Sequence, residues 1–199
     1  MDDKAKIIFE NILKRKSVRN YIKGKDISEP QIETILKAGM SAPSARNIQP
    51  WKFIVIKDRN ILNNLAERQP YGKMLTNASL AIVVAGNMEK AGEHQDFWQQ
   101  DLAAATENIL LMTEALGLGA VWIGVYPKEE RVQITREELN MPPTLIPFNI
   151  ISIGYPEKED QPKDKWNKEN VHYDTFYRVY RKKVLPFLTL GLTCNLAKL

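Results

Sequence analysis

Between Arg15 and Arg19 the chain reads RKSVR, three cations and one hydroxyl within five residues. Such a cluster can hold a phosphate by charge-assisted hydrogen bonds, arginine offering a bidentate fork, or it can be a solvated basic face. A second stretch, SAPSARNIQPW (Ser41–Trp51), sets small hydroxyl and amide side chains and two prolines between a helical pattern and an apolar run. Ser41, Ser44, Asn47 and Gln49 supply donors and acceptors that could match a planar heterocycle, or serve turn and cap chemistry. An ordinary connection needs fewer residues and a plainer turn.

Other chemistries lack their residues. No Walker phosphate loop and no Gly-x-Ser-x-Gly elbow is present. The cluster Gly117-Leu118-Gly119 with Gly124 runs from a helix into a strand, the reverse of a dinucleotide fingerprint, and reads as a helix C-cap with a tight turn. His94 and His172 are far apart and have no cysteine or paired carboxylates at ligand spacing, which argues against zinc. Cys194, the single cysteine, excludes an internal disulfide and fits a cytoplasmic protein. A net charge of +4 over 199 residues favours anionic ligands without arguing for nucleic acid, and RVYRKK reads as a solvated face. No apolar run reaches the roughly 18–20 residues of a membrane span, and MDDKAKIIFENILKRKS lacks the apolar core of a signal peptide.

The elements that must position these residues are read from periodicity. Residues 3–14 place Ile7, Ile8, Ile12 and Leu13 at helical spacing. Ser28-Glu29-Pro30-Gln31 is a helix start with a capping box, after which Ile32, Ile35, Leu36 and Gly39 face a core. FIVIKD is a strand, residues 59–68 a short helix, and LAIVVAGN, from Leu80, a central strand buried on both faces. Residues 97–118 form the longest helical pattern, apolar nearly all round in its middle, so a subunit interface is expected there. GAVWIGV is a third strand, KEERVQITREEL a surface helix, and LIPFNIISIGYP a fourth strand whose prolines mark an edge or strand end. Interleaved strands and helices predict an α+β or α/β sandwich. From about Pro156 the chain turns polar, then alternates basic and apolar blocks, as an arm would.

In order along the chain, RKSVR-N-Y, AGMSAPSARNIQPW, PYGKML, QDLAAATENILL, GLGAVWIGVYP, ISIGYP and QPKDKWNKENVHY resemble the FMN-dependent nitroreductase family over about residues 8–173. The resemblance implies an α+β fold: a three-layer α/β/α sandwich with a central mixed, mostly antiparallel sheet, in an intertwined homodimer with FMN at the interface. Residues 1–173 would form the FMN-binding domain, and 174–199 an arm that could wrap the partner subunit.

By the same resemblance, Pro43, Ser44, Ala45 and Asn47 match flavin-contacting positions, with Gln49 as a supporting neighbour. Arg15, Lys16 and Ser17 match the phosphate and ribityl end, and Arg19 a basic position near the pyrimidine edge. Lys163 and Lys165 match the basic pair completing the phosphate site; relatives often carry arginine at the second place, and lysine lacks the fork. Lys73 aligns with a basic residue beside the flavin in some members. Trp122, Ile123 and Gly124 fall where main-chain amides approach flavin N5, glycine permitting the close approach. His94, Phe97 and Trp98 are expected in the substrate pocket, or else as a helix N-terminal turn packed in the core. No catalytic side chain is expected, because the cofactor carries the redox chemistry. The implied activity is ping-pong: NADH or NADPH reduces bound FMN, and an electron-poor acceptor, a nitroaromatic, quinone or activated enone, then replaces it. Same-fold specialised chemistry (dehalogenation, flavin breakdown or enoate reduction) and a non-catalytic FMN carrier or sensor are the competing readings.

Overall fold

Among the described residues, 1–158 and 161–176 of the computed structural model, the apolar runs become one antiparallel sheet. Its strands are β1 (Trp51–Ile56), β2 (Leu80–Asn87), β3 (Gly119–Gly124) and β4 (Leu145–Gly154), in the order β1-β2-β4-β3. The continuous apolar run of β2 lies between β1 and β4, where both its faces are covered. A parallel bridge from Ser17 to Ala120 extends the sheet past β3.

The helices are α1 (Asp3–Lys14), α2 (Glu29–Met40), α3 (Arg59–Arg68), the single turn α4 (Met88–Ala91), α5 (Trp98–Ala115) and α6 (Glu129–Glu138). The predicted start of α2 is realised: the Gln31 side chain accepts from the Ser28 backbone N–H at 3.2 Å. Period two then assigns the sheet faces. Leu80, Ile82 and Val84 join Ile35 of α2 and Leu102, Ala105 and Ile109 of α5, whereas Ala81 and Val83 join Leu62 and Leu65 of α3 and Val132 of α6. The result is three layers, helix pair on sheet on helix pair.

β4 refines one expectation. Its prolines are expected at an edge or strand end; β4 as a whole is interior, but its ladder with β3 stops at Asn149, so Pro147, two residues from the strand's start, sits where β4 pairs with β2 alone. The ladder accommodates the missing N–H by a register shift: Val84 pairs with Asn149 but Ala85 with Pro147, leaving Phe148 as an extra residue. The freed Phe148 carbonyl accepts from Val125 and Tyr126 N–H at 3.3 and 3.1 Å.

Met1–Pro162 forms one compact unit and Lys163–Leu199 a second. In the second unit a short 3-10 turn spans Lys168–Asn170, and the His172 and Phe176 rings lie 4.3 Å apart. The arm expected over 174–199 lies, from residue 177 on, outside the described residues.

Candidate functional site

The site is built on the outer edge of β3. Helix α5 ends in a left-handed Gly117 (φ 70°), with Gly117 N–H on Glu114 C=O and Leu118 N–H on Thr113 C=O, both 3.0 Å. This is the glycine-dependent helix end expected from the sequence, and it feeds β3. The basic segment then runs beside β3. Val18 N–H donates to Ala120 C=O at 2.9 Å, and the Val18 side chain fills the space a Cβ on Gly119 would take, at 2.7 Å. With Val18 buried, Arg19 is turned outward.

A cleft of about 410 Å³ opens at this edge, lined by Arg19, Pro70, Tyr71, Lys73, Met74 and the β3 segment Val121–Gly124. The volume falls in the range of small-molecule sites, roughly 300–1,000 Å³. Among the described residues, two cations line it and no carboxylate does. A Cβ on Gly124 would meet no described residue within 4 Å beyond its chain neighbours, so the main chain there faces open space.

The loop carrying Tyr71 and Lys73 is tied down at both ends. Arg59 donates to the carbonyls of Leu75 (3.1 Å), Thr76 (3.1 Å) and Ala78 (2.6 Å). Gln69, only 2% exposed, donates to the Arg131 carbonyl and to Thr135 Oγ1, both at 2.9 Å. Arg131 itself donates to Gly124 C=O at 3.0 Å and lies over the Tyr71 ring, 5.0 Å from its centroid.

Of the residues singled out in the sequence, the cleft gathers Arg19, Lys73, Trp122, Ile123 and Gly124. Arg15 and Lys16 lie along α5 instead, with Arg15 Nε 3.4 Å from Glu107 and Lys16 Nζ 3.9 Å from Glu114. Lys16 lines a separate groove with Lys14 and Lys158. Ser17 is exposed beside them. Lys163 and Lys165 are exposed residues of the second unit.

The SAPSARN stretch sits at the other edge. Ala45–Asn47 is a 3-10 turn fixed by Ala45 N–H on Asp101 Oδ1 (2.9 Å), Gln49 N–H on Ser44 Oγ (3.0 Å) and Gln49 Nε2 on Asn47 Oδ1 (3.1 Å). Arg46, Asn47 and Gln49 all hold left-handed backbone (φ 51°, 56° and 53°), a costly arrangement that concentrates at ligand-contacting segments. Pro43 is exposed. The stretch leads into β1, and Phe53, Val84, Asn149 and Gly124 form one row across the sheet. The two groups of residues are therefore three strand spacings apart, about 14 Å.

His94, Phe97 and Trp98 do not line the cleft. Trp98 is in the core, edge-on to Tyr126 (4.9 Å) and Phe148 (5.7 Å). Phe97 stands exposed, and His94 Nε2 accepts from Arg46 Nη1 at 3.1 Å. Sequence reasoning missed Tyr71, Arg59, Gln69 and Arg131; Gln-Pro-Tyr-Gly was the available turn signal for the loop, and the arginines carry none. Below the basic segment, burial pushes the Tyr21 phenol well above its usual range despite the opposing effects of Ser152 and Arg19, and its O–H donates to Val18 and Ser152 carbonyls at 2.7 and 3.1 Å.

Comparison with known proteins adds independent evidence. A model of the nitroreductase family matches residues 12–69 and 66–155. A protein of Archaeoglobus fulgidus, named as a candidate NADH dehydrogenase/NAD(P)H nitroreductase, is 45% identical over 175 residues, covering 86% of this chain and 98% of the relative. The structure of an FMN-dependent nitroreductase from Clostridium difficile R20291 superposes with a TM-score of 0.78 at 33% identity, over 84% of this chain and 99% of that one. A candidate nitroreductase from Desulfovibrio desulfuricans, solved in complex with FMN, gives 0.72 at 29% identity over 85% and 98%. With the sheet order, the cleft and these matches in agreement, the chain belongs to the nitroreductase family.

Proposed function

We propose that this chain is an NAD(P)H-dependent FMN oxidoreductase that passes electrons to planar, electron-poor acceptors such as nitroaromatics, quinones or activated enones. The observation that carries the reading is the cleft at β3, with Arg19 and Lys73 but no carboxylate among the described residues on its walls, and open space beside Gly124. The residues fit the cofactor. Gly124 leaves room for a ring against the main chain, and the Arg19 and Lys73 cations offset negative charge on it. When bound, FMN supplies two-electron transfer between a nicotinamide and the acceptor. The protein's part is to orient both in turn at one place, which gives ping-pong turnover with no side chain acting as acid or base.

The same reading makes the active form a homodimer. One chain carries Arg19, Lys73 and Trp122–Gly124 at one sheet edge and Pro43, Ser44, Ala45, Asn47 and Gln49 before the other, too far apart for one flavin ring to touch both. A second copy can bring its SAPSARN turn to the first copy's cleft. Helix α1 supports this: it has no buried residue, and Ile7, Ile8 and Ile12 line an apolar groove with Leu111 and Met112 of α5. Arg15, Lys16, Ser17, Lys163 and Lys165 would complete the phosphate end, Arg15 and Lys16 exchanging their glutamate partners for it; His94 and Phe97 would border the acceptor. Residues 1–173 are the FMN-binding domain in this scheme, and 174–199 an arm.

No described helix is long and apolar enough to cross a membrane. The test is direct. Purified protein titrated with FMN should bind one flavin per chain, and anaerobic NADH or NADPH should bleach its visible band. A chain that takes up no FMN refutes the proposal. Bound flavin that neither nucleotide reduces makes the protein a carrier or sensor, and reduced flavin that ignores nitrofurans and quinones assigns it specialised chemistry.

A further inference from the structure

One residue outside the cleft touches two of its walls. Arg131, in the first turn of α6, donates to the Gly124 carbonyl at 3.0 Å and sets its guanidinium 5.0 Å from the Tyr71 ring centroid. Its own carbonyl accepts from Gln69, two residues before Tyr71. The loop is thus stitched to α6 through backbone and side chain at once, and the same side chain fixes the end of β3. Tyr71 is 66% exposed, so its ring depends on the guanidinium to hold an orientation. Arg131 does not line the cleft itself.

We propose that Arg131 is a positioning residue that sets the acceptor selectivity of the cleft, by holding the Tyr71 ring and the main chain at Gly124 at a fixed separation. The inference rests on the flavin reading above. A tyrosine ring held by a cation on one side offers its other face as a flat stacking surface, whose gain grows with the area a guest covers. A fused bicyclic acceptor covers such a ring more fully than a monocyclic one, so the pair favours menadione over p-benzoquinone. A lysine could satisfy the Gly124 carbonyl but not stack as a planar fork while doing so.

The experiment uses the FMN-loaded protein and the ratio of kcat/KM for menadione to that for p-benzoquinone. Tyr71→Ala should lower this ratio roughly three- to tenfold, through KM for menadione. Arg131→Ala should lower it by the same factor, Arg131→Lys should restore only part of it, and the double alanine variant should fall no further than either single one. A loss of core stability alone would slow both quinones together and leave the ratio where it was. Independent, multiplying effects of the two substitutions, or an unchanged ratio in Arg131→Ala, would overturn the proposal. Should Arg131→Ala fail to fold, Arg131→Lys with and without Tyr71→Ala carries the same cycle. Wild-type protein that binds no FMN sinks the flavin reading; wild type that binds and turns over, with multiplying variants, sinks this inference alone.

Discussion

Two glycines five residues apart in β3 should respond oppositely to the same added methyl group. At Gly119 a Cβ would lie 2.7 Å from Val18 Cβ and Cγ1, inside any real carbon–carbon contact, so Gly119→Ala must push the basic segment off the sheet. Overpacking of this kind costs about 1–3 kcal/mol. For a domain of this size each kcal/mol moves Tm by roughly 2–4 °C, so the loss should be about 2–12 °C. At Gly124 no described residue beyond the chain neighbours lies within 4 Å of the added carbon. Gly124→Ala should therefore leave the flavin-free protein as stable as before or gain up to about 1 kcal/mol from a less flexible unfolded chain. Its methyl would project into the space assigned to the flavin, and FMN affinity should drop about tenfold or more. Differential scanning fluorimetry without FMN, followed by fluorescence-quenching titration with it, separates the two. Gly124→Ala binding FMN as wild type does would refute the seating of a ring against that main chain. An unchanged Tm in Gly119→Ala would refute the account of how the basic segment is held.

Tyr21 gives an alkaline signature. Because burial raises its phenol above the unfolded value near 10, its contribution is complete below that pH and is lost as pH rises, at about 1.4 kcal/mol per pH unit while the folded phenol stays protonated. Urea melts from pH 9 to 11 should steepen accordingly, and Tyr21→Phe should flatten the slope while costing about 1 kcal/mol at neutral pH. Arg59→Ala removes the donors to three loop carbonyls and should cost about 1–3 kcal/mol by urea unfolding, with weaker FMN binding because Lys73 rides on that loop; unaltered FMN affinity would separate Lys73 from the flavin. Ile8→Glu with Ile12→Glu, at positions 51% and 48% exposed in one chain, should convert a dimer to a monomer in sedimentation velocity while far-UV circular dichroism holds. Wild-type protein that sediments as a monomer would remove α1 from the interface.

The layers were legible because each depends on local periodicity. LAIVVAGN could be placed at the sheet centre because an apolar run without alternation must be covered on both faces, and Gly117 announced the end of α5 by its position. Pro147 marked the one-sided start of β4, as a proline should, but neither the interior place of the rest of the strand nor the bulge at Phe148 could be read from it. Arg19 and Gly124 were recoverable through ordered motifs. Arg59, Gln69 and Arg131 were not: each acts across an element boundary, Gln69 on a residue 62 positions away, and nothing in a polar helix face marks which side chain reaches back to a loop. The left-handed backbone at Arg46, Asn47 and Gln49 was equally silent, since none of those residue types requires it.

Pro147 has a use beyond being tolerated. Sliding β4 by one place against β2 would carry its imino nitrogen, which has no hydrogen to donate, off the bulge and into the regular ladder. The same slip would invert every side chain of β4, sending Ile151 and Ile153 to the layer that Ile150 now fills. The ring thus works as a key cut for a single notch: strand β3, docked on β4, inherits its alignment from that notch, and with it the choice of which peptide stands at the lip of the cleft.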